Sequence, residues 1–304
     1  MRPILFRKPH YQQAQRTLGR VIDAAIPAFL VCSVLSITLA QAAMLLALAA
    51  WMLTLFLPAA DRRLSFPLLL PMAGFFLASA VAALTAVDPY LSLKELRNVF
   101  QPAFFYLIVN HLQEEEQATS LTRLLIAVGT LASLYGLSQT LMRGADFRVP
   151  GTMSIYMTFA GLLMLIETVA LAQVLFHVHN RQWLWLVPAL FPLTAALIMT
   201  HTRGAWLGLV AGFSLLLWLR KKSALLVFPV IALAIFLTSP LAIQNRMSSL
   251  LNPSDVTFNE RLSMWHSGLQ IIRDYPLTGV GMDGLKRIYQ AYKQPTAVKE
   301  RTSH

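Results

Sequence analysis

Residues Trp183–Lys222 read WLWLVPALFPLTAALIMTHTRGAWLGLVAGFSLLLWLRKK, two long apolar runs, Trp183–Thr200 and Ala205–Leu219, separated only by His201-Thr202-Arg203-Gly204. A hydrocarbon core about 30 Å thick is crossed by roughly 20 mostly apolar helical residues. The stretch therefore reads as two membrane spans joined by a tight turn, with Arg203 at the boundary. Arginine does not shed its charge, so it needs water, a carboxylate or an anionic ligand at that depth. Snorkelling is the plain use of such a residue. The clustering of further arginines on the same expected side favours an anion instead.

Outward from this hairpin, the whole chain has the same character. Of its 304 residues, 56% are hydrophobic and only 13% charged, and the mean hydropathy is +0.58. That is too apolar for an ordinary soluble domain. The expected fold class is all-α, a polytopic transmembrane helix bundle. A net charge of +11 raises the question of nucleic acid, but the basic residues are spread over loops and not gathered in one stripe with interleaved aromatics, so no nucleic-acid partner is expected. Cys32 is the single cysteine. It sits in an apolar run, which leaves neither a disulfide framework nor a thiolate metal site.

A span-sized window picks out nine segments: Val21–Leu39, Ala42–Leu57, Phe66–Ala86, Leu96–Leu112, Leu121–Met142, Ser154–Phe176, Trp183–Thr200, Ala205–Leu219 and Lys222–Thr238. The first two are joined so tightly around Ala40-Gln41 that they read as a hairpin or one interrupted element. The stretch before Val21 is long and basic and lacks a cleavage site, unlike a signal peptide. With the N-terminus inside, twelve lysines and arginines fall on the cytoplasmic side against five (Lys94, Arg97, Arg143, Arg148 and Arg203) in the opposite short loops. The positive-inside rule thus places the N-terminus in the cytoplasm. The expected division is a bundle over 1–238 and a periplasmic segment over 239–304. Membrane lipids are its immediate partners.

Several features read as structural. Glu114-Glu115-Glu116 is a solvated acidic run at a span end. His177-x-His179 lacks a third ligand, and no metal is expected there. Glu167 is costlier to explain, because it falls near the middle of a span and must be either protonated or paired inside the bundle. Arg143 reads as an interfacial anchor, and Asp146 is a local partner for Arg148.

Past Thr238 the chain changes character. Asn252-Pro253-Ser254-Asp255 reads as a turn, and Thr257-Phe258-Asn259-Glu260 fits a capping box that opens a helix near 257–274. Phe258, Leu262, Trp265, Leu269 and Ile272 recur at spacings of four, three, four and three, one apolar stripe for lipid or for the bundle's outer face. Arg261 and His266 fall off the stripe. Pro276-Leu277-Thr278-Gly279-Val280-Gly281 then makes a turn before a second short helix, about Asp283–Tyr292. No strand precedes Gly279-x-Gly281, so a nucleotide loop is not the reading.

Three stretches in order, Arg148-Val149-Pro150-Gly151-Thr152-Met153, Thr202-Arg203-Gly204-Ala205-Trp206, and Asn259-Glu260-Arg261-Leu262-x-Met264-Trp265 with Pro276–Gly281 after it, together resemble the O-antigen ligase and polymerase superfamily. The resemblance covers about Phe147 to Tyr292; the N-terminal spans share hydropathy only. It implies a glycan transferase at the outer face of the bacterial inner membrane. Such enzymes move a sugar chain from undecaprenyl diphosphate to an acceptor, lipid A-core for a ligase or another lipid-linked repeat unit for a polymerase, with no cofactor and no required metal. It also implies that Arg203 and Arg261, with Arg148 beside them, engage the diphosphate. The general base is implied to be a histidine of the large periplasmic loop, for which His304 and His266 are the candidates. His201 reads better as a helix cap or headgroup contact.

Physical chemistry supports these roles independently. Breaking a sugar–diphosphate bond builds negative charge on the leaving group, and fixed cations stabilise it. Arginine's planar fork suits phosphate oxygens, and histidine titrates near neutrality. The family's loop histidine motif is expected to begin where His304 stands, so the sequence reads as lacking the family's C-terminal part. A non-catalytic fragment or scaffold therefore stays open beside the enzyme. A transporter does too, although the two halves show no internal repeat.

Overall fold

The computed structural model describes residues 9–57, 64–86, 88–95, 101–144, 147–176, 183–220, 256–281 and 284–294. These residues form helices and connecting turns, with no strand among them. In chain order the helices are α1 (Pro9–Leu35), α2 (Ile37–Phe56), α3 (Leu69–Leu84), α4 (Pro89–Glu95), α5 (Gln101–His111), α6 (Glu115–Arg143), α7 (Tyr156–Phe176), α8 (Trp183–Met199), α9 (Arg203–Arg220), α10 (Val256–Asp274) and α11 (Gly284–Tyr292).

Four helices, α1, α2, α6 and α7, are long and apolar enough to cross a membrane, and α3 and α8 are shorter apolar helices. The chain is a membrane protein. Eight of the nine expected spans overlap helices among the described residues, and four of those helices have the length and hydropathy of a crossing; Val21–Leu39 runs across the break between α1 and α2, and α5 has 11 residues, about 17 Å of rise. The ninth, Lys222–Thr238, lies outside the described residues, as do His177-x-His179 and the turn Asn252–Asp255. The first two spans are separate helices that pack on each other. Their break falls at Ser36, whose backbone is extended, and not at Ala40-Gln41, which lies inside α2.

By packing, the chain forms two units, Met1–Ala60 with Leu112–Leu250, and Asp61–His111 with Leu251–His304. This division cuts differently from one drawn by hydropathy, since it groups α3, α4 and α5 with the tail helices.

In the first unit α7 packs on both α8 and α9, and α6 on α8 and α1. Phe159, Leu163 and Ile166 of α7 meet Ile126 of α6 and Leu193 and Leu197 of α8 in a fully buried core. The inward face of α6 is built from Ile126, Gly129, Ala132, Ser133 and Gly136, whereas Leu131, Leu134, Tyr135 and Leu141 point out. Small residues inside and large apolar ones outside is the arrangement of helices that meet in lipid, where backbones approach closely and nothing drives leucines inward. The same logic joins α9 to α7, where a Cβ on Gly208 would stand 2.3 Å from the Met164 sulfur. Glu114, Glu115 and Glu116 are exposed at the start of α6, where carboxylates complement the positive end of the helix dipole.

Glu167 is buried in α7, and the Thr194 hydroxyl of α8 donates to its Oε1. The structure thus gives Glu167 a hydrogen-bond partner inside the bundle. Its Oε2 is buried without a partner among the described residues.

In the second unit Asp88 caps α4, its Oδ1 accepting the Leu91 amide at 3.1 Å, and Pro89 occupies the first helical position, where a missing N–H is harmless. Asn110 clamps Ser65 through two hydrogen bonds of 2.7 and 2.9 Å. Helices α10 and α11 pair through the Ser267 hydroxyl, which donates to the Tyr292 carbonyl at 2.8 Å.

Candidate functional site

The turn between α8 and α9 is shorter than its sequence suggests, consisting of Thr200, His201 and Thr202. His201 takes a left-handed backbone, φ 53°, at the position just past a helix where glycine usually stands. Holding an imidazole-bearing residue there costs of the order of 1 kcal/mol. The side chain is buried, so His201 faces protein and not open headgroups. Helix α9 then starts at Arg203, with the Thr202 carbonyl accepting the amides of Ala205 and Trp206 at 3.0 and 3.2 Å. The Trp206 indole N–H donates to the Leu197 carbonyl at 3.1 Å, tying the head of α9 to the last turn of α8. Arg203 is half-buried, a cation at the positive end of a helix dipole. Its own charge and the dipole both favour an anion at this point.

The segment after α6 folds onto the same turn. The Val149 amide donates to the Met199 carbonyl at 3.3 Å, and Val149 itself is fully buried. The segment that carries Arg148 therefore docks on the end of α8, four residues before Arg203. Gly151 carries φ +59°, and a Cβ there would stand 2.4 Å from the Phe159 ring, so a side chain is excluded by both backbone and space. Gln139 clamps Gly151 with its whole amide, Nε2 donating to the carbonyl at 2.9 Å and Oε1 accepting the amide at 3.2 Å. Thr152 donates to the Val34 carbonyl of α1.

Arg148 is exposed. One of its N–H groups donates to the Tyr156 hydroxyl at 2.7 Å, and its guanidinium carbon lies 5.1 Å from the Tyr156 ring centre. Tyr156 is thus its partner, while Asp146 lies outside the described residues. Arg143 stacks over Phe147 at 4.7 Å, an anchoring contact. Sequence reasoning passed over Gln139 and Tyr156, since nothing local marks a glutamine or a tyrosine in an apolar helix as a clamp. The left-handed His201 carried no signal either.

Arg261 and His266 belong to the second unit. Both are exposed on α10. Five residues apart, they point about 140° away from each other around the helix axis, so the helix does not bring them to one face. α10 begins at Val256, which puts Thr257 inside the helix and not at its cap, a shift within the usual fraying of helix ends. The glycine turn is confirmed as a turn: Gly279 and Gly281 have φ +64° and +81°, and a Cβ on Gly281 would meet Ala86 Cβ at 2.2 Å and Ser92 Oγ at 2.6 Å. Nearby, Arg287 of α11 pairs with Asp88 at 2.8 Å, a partnership no local pattern announced. His304 lies outside the described residues. Among the described residues no group of three or more histidines, cysteines or carboxylates comes together.

No curated protein and no solved structure matches the chain. The family model described as O-Antigen ligase matches residues 188–304, which takes in the Arg203 turn, α9, α10 and α11. Over that region the chain is similar to the O-antigen ligase family.

Proposed function

We propose that the chain is an O-antigen ligase-like glycosyltransferase, moving a glycan from undecaprenyl diphosphate to lipid A-core at the periplasmic face of the bacterial inner membrane. The observation that carries the reading is the docking of the Arg148 loop on the Arg203 turn, inside a chain whose C-terminal region matches this family. Two permanent cations on segments that dock on each other suit a diphosphate whose charge grows as its bond to the sugar breaks. Arg261, exposed on α10, is the further cation that the family resemblance implies for the diphosphate. In this topology nine spans run from a cytoplasmic N-terminus, the bundle occupies 1–238, and 239–304 is periplasmic.

The reaction needs an acceptor hydroxyl to attack the anomeric carbon while undecaprenyl diphosphate departs as an anion. The hydroxyl proton passes to a neutral imidazole, for which His304 and His266 are the candidates. Arginine contacts that strengthen as the leaving group gains charge lower the barrier, with no nucleotide sugar and no metal required. Arg148 spends one of its five N–H donors on Tyr156, which orients the planar fork without neutralising it.

Deletion of the gene, with lipopolysaccharide and the lipid-linked glycan pool compared by gel, tests the reading. Core-only lipopolysaccharide with polymer stranded on undecaprenyl diphosphate supports the ligase. Core bearing a single repeat unit identifies a polymerase instead, and an unchanged pattern in both pools overturns the proposal. Complementation with Arg203→Ala that restores normal lipopolysaccharide assigns the chain a scaffold or transport role.

A further inference from the structure

Helix α10 presents an inverted surface. The side chains packed into its unit are Ser263, Ser267 and Ile271, all buried. The stripe expected to be the helix's working apolar face is open: Leu262 is 40% exposed, Trp265 68%, Leu269 63% and Ile272 62%, and Leu277 in the following turn is 95% exposed. At about 100° per residue the four stripe residues fall within an arc of about 80°. Arg261 borders one edge of that arc and Arg273 the other, each about 20° beyond it. Glu260 and Asp274 fall on the far side, with the serines.

We propose that this face of α10 lies in the surface of the bilayer, with Arg261 and Arg273 reaching anionic headgroups along its two edges. Charge complementarity selects the occupant. A narrow apolar arc flanked by cations, with the acidic residues turned away, matches a lipid interface whose acyl boundary is apolar and whose headgroups carry negative charge. Trp265 within the stripe and Tyr275 just after the helix are the amphipathic aromatics that settle at that depth. A second copy docked on the same face would bring its own arginines against these two, setting like charges together. α10 is part of a chain with membrane-spanning helices, so even a weak surface affinity is satisfied. The inference needs only that membrane setting and does not rest on the transferase reading; its readout is lipid contact, which stays measurable in an inactive chain.

The test uses the full chain carrying Cys32→Ser, with a single new cysteine at Trp265, Leu269 or Gln270 labelled with an environment-sensitive fluorophore. The labelled protein is reconstituted into phosphatidylethanolamine vesicles with or without phosphatidylglycerol. The expected result is strong quenching by lipids spin-labelled near the headgroup at 265 and 269, several-fold weaker at 270, and the reverse order with aqueous iodide. Omitting phosphatidylglycerol, or adding Arg273→Gln, is expected to reduce lipid quenching at 269. Equal iodide quenching at all three positions overturns the proposal by showing the stripe in water. Protection from both quenchers overturns it in favour of a protein cover, either another part of this chain or a second copy.

Discussion

Helices α6 and α10 each hide small side chains and expose large apolar ones, but for different physical reasons. In α6 glycine, alanine and serine face the bundle, as expected of a span whose outer surface is solvated by lipid tails. α10 does the same with serines although it carries Glu260, Arg261, His266, Arg273 and Asp274, too many polar groups for a span. One inversion suits a helix immersed in the bilayer, the other a helix lying on it. In a membrane protein, an apolar stripe therefore does not say which face is the protein core.

The two regions also differ in how they hold their arginines. The Arg148 loop and Arg203 turn are fixed by a left-handed glycine, a bidentate amide clamp and backbone docking. Arg261 rides on an exposed helix surface. Substitution tests that contrast. The largest effect is expected for Arg203→Ala, a loss of about 10²–10³ in glycan transfer with normal membrane assembly. Arg203→Lys should recover only part of this, because an ammonium lacks the bidentate fork. Transfer rates in reconstituted vesicles supply the comparison, and full activity of Arg203→Ala removes the turn from the site.

Gly151→Ala comes next. With φ +59° and a 2.4 Å approach to Phe159, it should destabilise the first unit by about 2–4 kcal/mol. Gly281→Ala should be comparably harmful in the second unit, given its contacts with Ala86 and Ser92. Thermal unfolding in detergent reads both; a tolerated Gly151→Ala means that the loop is held less tightly than its clamp implies.

Smaller still is Thr194→Val, which strands the Glu167 Oε1 and should cost about 1–3 kcal/mol, whereas Glu167→Leu with Thr194→Val together should be nearly neutral. An additive double variant would break that account. On the tail side, Arg287→Ala removes a solvated ion pair with Asp88 and should change stability by about 1 kcal/mol or less, the difference vanishing in high salt.

The subtlest expectation is spectroscopic. The Tyr292 hydroxyl donates to Asp274 at 2.6 Å, and that hydrogen bond, helped by slight burial and the nearby negative charge, pushes its pKa up to about 12. The contact is therefore complete below the ordinary tyrosine range and is lost as pH rises through about 12. Asp274→Asn should return one tyrosinate absorbance step toward the ordinary value; no change in the titration would detach Tyr292 from Asp274.

Sequence alone established the all-helical membrane character, because span length and apolar content are direct consequences of bilayer thickness. It also located the α8–α9 turn, the two tail helices and the arginines, since charge at a span boundary and glycine at a turn are local facts. The ends of α10 and the break at Ser36 were less legible: fraying and backbone geometry leave little local trace. Only the tertiary structure decided that Val149 docks on Met199, that Gln139 holds Gly151, that Tyr156 partners Arg148, and that Asp88 meets Arg287. Each joins residues whose separation in the chain exceeds any helical or turn period, so no repeat in the sequence encodes it. The face on which α10 packs was hidden for a related reason: hydrophobicity reports distance from water, and beside a bilayer two different surroundings, protein and lipid, satisfy that same demand.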